Sequence, residues 1–233
     1  MLQRDLRAAH VEGPLLRRLR RRGLAEQEQQ QEQQGQRRGD GQGGMAERTT
    51  LARLLELRGA PSARDVFLAL GDDLQTWAKS PRLATVVLSV LARQRRPDVA
   101  QQVLGCMQAG GVGVNVFHCN SVISAFERVG QWQAALNLLR RMPDMMAQPD
   151  DFSYNSAISS CGKGSQWLLA LNLLSSMPAA GVRPDEISCS AAISACEKSG
   201  QWQRALALLG SMRQLRIGPS VVSCNAAVSA CEK

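Results

Sequence analysis

From Glu186 to Ser220 the chain reads EISCSAAISACEKSGQWQRALALLGSMRQLRIGPS, and the same 35-residue phrase recurs on both sides of it without a gap. Asn120-Ser-Val-Ile-Ser-Ala, Asn155-Ser-Ala-Ile-Ser-Ser, Ser190-Ala-Ala-Ile-Ser-Ala and Asn225-Ala-Ala-Val-Ser-Ala begin 35 residues apart. Trp132, Trp167 and Trp202 keep the same interval, as do Met142, Met177 and Met212, and Pro149, Pro184 and Pro219. The blocks are 81–115, 116–150, 151–185 and 186–220, with 221–233 as the first third of another. The block at 81–115 shares the length and apolar spacing but little of the wording. A fixed period of this length marks a solenoid, in which each unit buries its apolar side only against its neighbours.

Within the quoted block, Ile187, Cys189, Ile193 and Cys196 share one face of a first helix spanning about 187–199. Gly200 stands where that helix needs a left-handed residue to stop. Ala205, Leu206, Leu208, Leu209 and Met212 line a second helix over about 202–215, and Pro219 prevents its continuation. Neither helix is long enough to be stable alone. The same register places Cys119, Cys189 and Cys224 fourth in their blocks and Cys161, Cys196 and Cys231 eleventh, which reads as core packing. The tryptophans at the seventeenth place read as inter-helix packing too.

Outside the blocks the sequence changes character. Residues 1–25 carry seven arginines against two acidic residues, the composition of an organellar import presequence or of an ordinary basic tail. Gln27 to Gly44 is rich in Gln, Glu and Gly and reads as disordered, so 1–48 is set apart as an N-terminal segment. Residues 49–80 read as a helical cap or degenerate repeat, with helices near 50–58 and 62–79.

Composition narrows the function classes. Aromatic residues make up only 4% of the chain, which suits helices packed through Leu, Ile, Ala and Met rather than a sheet. The net charge is +8, and residues 81–233 hold +5 of it, with 14 basic side chains against 9 acidic. That balance favours an anionic partner. Seven cysteines without a C-x-x-C pair and only two histidines, His10 and His118, exclude the spacing of a zinc site. The longest apolar run, Leu83 to Ala92, is short of the roughly 20 residues that cross a bilayer, so no membrane association is expected. No cofactor motif and no catalytic constellation is present, and an RNA-editing deaminase would need an H-x-E with a C-x-x-C.

Tyr154-Asn155-Ser-Ala-Ile-Ser, a Gly before the second helix, Ala-Leu-x-Leu-Leu-x-x-Met within it and a closing Gly-Val-Arg-Pro-Asp185 resemble the pentatricopeptide repeat. The 34-residue look-alike that mostly binds proteins carries a W-x₂-L-G-x₂-Y run, which is absent here. The resemblance implies a right-handed α-solenoid of antiparallel helical hairpins whose partner is single-stranded RNA, read at one base per repeat. It implies that the fifth and last residues of each block select the base: Thr85 with Asn115, Asn120 with Asp150, Asn155 with Asp185, Ser190 with Ser220, and Asn225 without a partner. By that pattern the first three pairs select adenine, uracil and uracil. An Asn amide with an Asp carboxylate matches a uracil edge, whose N–H lies between two carbonyls. The second place is where such proteins sandwich a base, and Phe117, Phe152, Ile187 and Val222 fit, whereas Arg82 departs from the pattern.

One feature stands without the resemblance. The thirteenth place is basic in every block, at Arg93, Arg128, Lys163, Lys198 and Lys233. Such a ladder suits one phosphate contact per base, although a cation in a helix's last turn is also favoured by the helix dipole. The role that the resemblance implies is organellar RNA processing, stability or translation, in a mitochondrion or chloroplast, or otherwise in the cytoplasm. The alternative is a protein-binding scaffold; separately, the apolar face at the C-terminal end is expected to continue into a longer array or to be covered by another protein or a second copy.

Overall fold

The computed structural model of the chain describes residues 43–57, 59 and 61–232, so the expectations for 1–42 and for Lys233 lie outside the described residues. The chain divides into two compact units, Met1–Thr49 and Thr50–Lys233. The described residues form twelve α-helices and two 3-10 turns, with no strand among them.

The first is α1 (Gly43–Glu56), which starts inside the stretch whose composition reads as disordered. The single helix expected over 62–79 is two, α2 (Ala63–Leu70) and α3 (Asp73–Lys79). Gly71 at φ 53° breaks them, a conformation in which other residues are strained. The repeats follow as pairs. They are α4 (Pro81–Arg93) with α5 (Pro97–Ala109), α6 (Val116–Val129) with α7 (Trp132–Arg141), α8 (Asp151–Lys163) with α9 (Trp167–Ser176), and α10 (Glu186–Lys198) with α11 (Trp202–Gln214). A further first helix, α12, spans Val221–Glu232. The expected boundaries in the quoted block are met within one residue.

The first helices α4, α6, α8, α10 and α12 pack each on the next, making one continuous layer. Each second helix lies behind, against its own first helix and that of the following repeat. The core therefore repeats with the sequence. Met107, Met142, Met177 and Met212 are fully buried at 35-residue intervals, as are Leu88, Ile123, Ile158 and Ile193. The divergent block at 81–115 keeps the core residues even where its surface wording is lost. Cys119, Cys161, Cys189 and Cys196 are buried as the register requires, whereas Cys224 and Cys231 on α12 are exposed. Burial pushes the Cys119 thiol up to about 12 and that of Cys161 up to about 11, so neither is a ready nucleophile.

Two joints per repeat hold the hairpins together. The fifteenth place, between the helices, is left-handed at Arg95, Gly130, Ser165 and Gly200. The thirty-first, before the next repeat, is left-handed at Gly111, Met146, Gly181 and Arg216. In block 151–185 the left-handed residue is thus Ser165 and not its neighbour Gly164. Gly164 serves packing instead, because a Cβ there would meet Trp132 Cδ1 at 2.2 Å. Pro143 and Pro178 end α7 and α9 in 3-10 turns, and α11, lacking a proline at that place, runs on to Gln214.

Candidate nucleic-acid interface

Along a first helix, places two, five, nine and thirteen are three or four residues apart and so lie on one stripe. Because the first helices pack side by side, these stripes form adjacent rows. At the second place Phe117, Phe152, Ile187 and Val222 are 64%, 51%, 60% and 64% exposed. A large apolar side chain left more than half exposed once per repeat has surface free to cover a planar ligand. Arg82 is exposed at the same place on α4.

The fifth-place residues sit lower. Asn120 and Ser190 are buried, Thr85 and Asn155 half-buried, and Asn225 exposed. Their last-place partners have a duty that the sequence reading missed: each caps the first helix of the next repeat. The side chains of Asn115, Asp150 and Asp185 accept the backbone N–H of His118, Ser153 and Ser188 at 3.0, 2.9 and 2.8 Å. Ser220 accepts that of Ser223 at 3.2 Å. The signal was available, since Asn, Asp and Ser are the residues that cap helix N-termini, and a polar residue three places on completes a capping box.

In two repeats the capping residue also meets the selecting residue. Asn120 Nδ2 donates to Asp150 Oδ1 at 3.0 Å, and the Ser190 and Ser220 hydroxyls lie 3.5 Å apart. Among the described residues, Thr85 and Asn115 make no hydrogen bond with each other, nor do Asn155 and Asp185. Thr85 turns to the Pro81 carbonyl at 3.5 Å. Asn115 is held by His118, whose buried ring accepts the Asn115 N–H at Nδ1 (3.2 Å) and donates from Nε2 to the Pro81 carbonyl (2.9 Å). Burial lowers the His118 pKa, against the Pro81 carbonyl, which raises it.

At the thirteenth place Arg93, Arg128, Lys163 and Lys198 are all exposed in the last turn of their helices. Lys163 is not wholly available to a ligand, because its Nζ pairs with Glu127 Oε1 at 3.1 Å. Glu127 also accepts the Ser159 hydroxyl at 2.8 Å, tying α6 to α8. Arg93, Arg128 and Lys198 make no ion pair among the described residues. No cluster of three metal-ligating side chains occurs among the described residues, and no helix there is long and apolar enough to cross a membrane.

Family models match this region in three overlapping stretches: a PPR repeat family over 114–163, a PPR repeat over 152–182 and a pentatricopeptide repeat domain over 172–233. Together they run from 114 to 233 without a break. The chain belongs to the pentatricopeptide repeat family. Among solved structures, the pentatricopeptide repeat protein PPR10 in complex with an 18-nt psaJ RNA element is similar over 82% of this chain at 24% identity and a TM-score of 0.60. The pentatricopeptide repeat protein PPR10 from maize matches over 84% at 22% identity and the same score. The PPR domain of Arabidopsis thaliana protein-only RNase P 1, in complex with tRNA, matches over 62% at 14% identity and a TM-score of 0.54. The chain spans 30% of the PPR10 chain and 77% of the RNase P domain, and at these identities the likeness establishes the fold. No curated protein sequence matches it.

Proposed function

We propose that this pentatricopeptide repeat chain binds single-stranded RNA along its first-helix layer, at about one base per repeat, without catalysing a reaction. The observation that carries this is the ladder of exposed apolar side chains at Phe117, Phe152, Ile187 and Val222. Each stands one turn from a polar pair at places five and last and three turns from a cation. A base stacked between successive rungs has its edge at the polar pair and its phosphate near the thirteenth-place side chain. Similar structures crystallised with RNA support the reading. Action in an organelle, in transcript processing, stability or translation, is part of the same proposal and is supported by the arginine-rich composition of residues 1–25.

Stacking contributes on the order of 1–3 kcal/mol per base, so four or five bases give modest, salt-sensitive affinity. The test is a titration of single-stranded oligomers with and without an A-U-U core, at low and moderate salt. Asn120→Thr with Asp150→Asn is expected to move that repeat's preference from uracil toward adenine. Negligible binding of every oligomer sinks the proposal.

A further inference from the structure

Blocks 116–150 and 151–185 present the same pair to a base, Asn with Asp, and the same serine follows each at the third place of the next block. The two serines are used differently. Ser153 Oγ lies 2.5 Å from Asn120 Oδ1 and 2.8 Å from Asp150 Oδ1, and accepts the Asp150 N–H at 3.2 Å. Asp150 Oδ1 is already served by the Ser153 N–H and by Asn120 Nδ2, at 2.9 and 3.0 Å. The single hydroxyl proton therefore goes to the shorter contact, Asn120 Oδ1. Both ends of the Asn120 amide are then committed, its NH₂ to a carboxylate and its oxygen to a hydroxyl. A flip would set the amide oxygen against the Asp150 carboxylate and is excluded.

Ser188, in contrast, turns its hydroxyl to the Asp185 carbonyl at 2.9 Å and accepts the Asp185 N–H at 2.7 Å. Asn155 Oδ1 is left buried with no partner, so nothing fixes which way that amide faces.

We propose that Ser153 is a positioning residue for base selection, which together with the Asp150 carboxylate fixes the polarity of the Asn120 amide and sharpens discrimination by repeat 116–150 over that by repeat 151–185. The inference rests on the RNA reading above. An amide oxygen with a fixed direction keeps a second lone pair for an N–H, as on the uracil edge, and repels the bare ring nitrogen that cytosine offers at the same point. A free amide turns its NH₂ to cytosine and accepts both.

The experiment places single uracil-to-cytosine changes opposite each repeat and measures the affinity ratio. The wild-type ratio is expected to be about 3–10-fold larger opposite repeat 116–150, the worth of one hydrogen bond. Ser153→Ala lowers it toward the value at repeat 151–185, Asp150 still holding the NH₂; Ser153→Thr restores it, and Ser188→Ala leaves the ratio at repeat 151–185 unchanged. In parallel, and without RNA, the Asn120 side-chain amide protons, held by Asp150, exchange with water more slowly than those of Asn155, a contrast that Ser153→Ala narrows without removing. An unchanged ratio in Ser153→Ala overturns the proposal and leaves Ser153 as part of a cap. Equal exchange of the two amides in the wild type overturns it as well. Failure of every oligomer to bind sinks the RNA reading and the discrimination with it, and is told apart by an exchange contrast that persists.

Discussion

Repeats 116–150 and 151–185 carry the same selecting residues, the same tryptophan and the same core methionine, yet they are not interchangeable. In the first, Asp150 caps α8 and accepts directly from Asn120, which Ser153 also holds; in the second, Asp185 caps α10 and leaves Asn155 alone. The joint inside the first hairpin is Gly130, at ease at φ 74°, and the joint inside the second is Ser165, held at φ 56°. Identical letters at two positions thus do not give identical local energies, because a side chain with one proton to give must choose among acceptors whose distances are set by neighbouring helices. A repeat array has room for this, since its units interact only with their neighbours.

The largest contrast is expected at the caps. Asp150→Ala removes both a helix cap and the hold on Asn120, costing about 2 kcal/mol, whereas Asp185→Ala loses the cap alone, about 1 kcal/mol. Urea denaturation of the two variants measures the difference, and equal losses break the distinction between the repeats.

The joints come next. Ser165→Gly is expected to raise stability by about 0.5–1 kcal/mol by relieving a left-handed serine, and Gly130→Ala to lower it by about 1 kcal/mol. A Cβ on Gly130 meets only Lys163 Cβ, at 3.9 Å, so the cost there is conformational and not a clash. Destabilisation by Ser165→Gly would mean that the serine side chain itself supports the joint.

The smallest effect extends the comparison to the cap of α6, where His118 stands in place of a serine. Burial places its folded pKa below the unfolded value, so the unfolded chain binds the proton more readily. The contribution of this cap is complete above about pH 6.5 and is lost as the pH falls through the folded pKa. Denaturation midpoints are expected to drop between neutral pH and pH 5.5 and to lose part of that drop in His118→Gln. Ser153 and Ser188 do not titrate, so the caps of α8 and α10 supply no such term.

Much of this was legible in the residues because a repeat states its own register several times. Four copies of one spacing locate each first helix to within a residue, but the apolar pattern groups Ile187 with the buried Cys189 and Cys196, and it is the structure that exposes Ile187. Less was legible outside the repeat. Gly71 splits a segment that reads as one helix, and α1 begins at Gly43, within a composition that promises no structure. At the interface, the capping duty of Asn115, Asp150, Asp185 and Ser220 was written in their residue types but hidden by the attention their selecting role draws.

What the sequence determined by itself is the solenoid: a hairpin per 35 residues, its buried face and its cation. Period and polarity suffice for that, because burial of an apolar stripe has only one partner available, the next copy. What the tertiary structure alone decided is which hydrogen bonds each copy makes. Ser153 reaches Asn120 across a helix interface while Ser188 folds back on its own cap, and Lys163 meets Glu127 from the preceding repeat. Those choices turn on the distances between donors and acceptors on different helices. Hydrogen-bond strength falls off steeply with distance and angle, and a one-dimensional pattern carries neither.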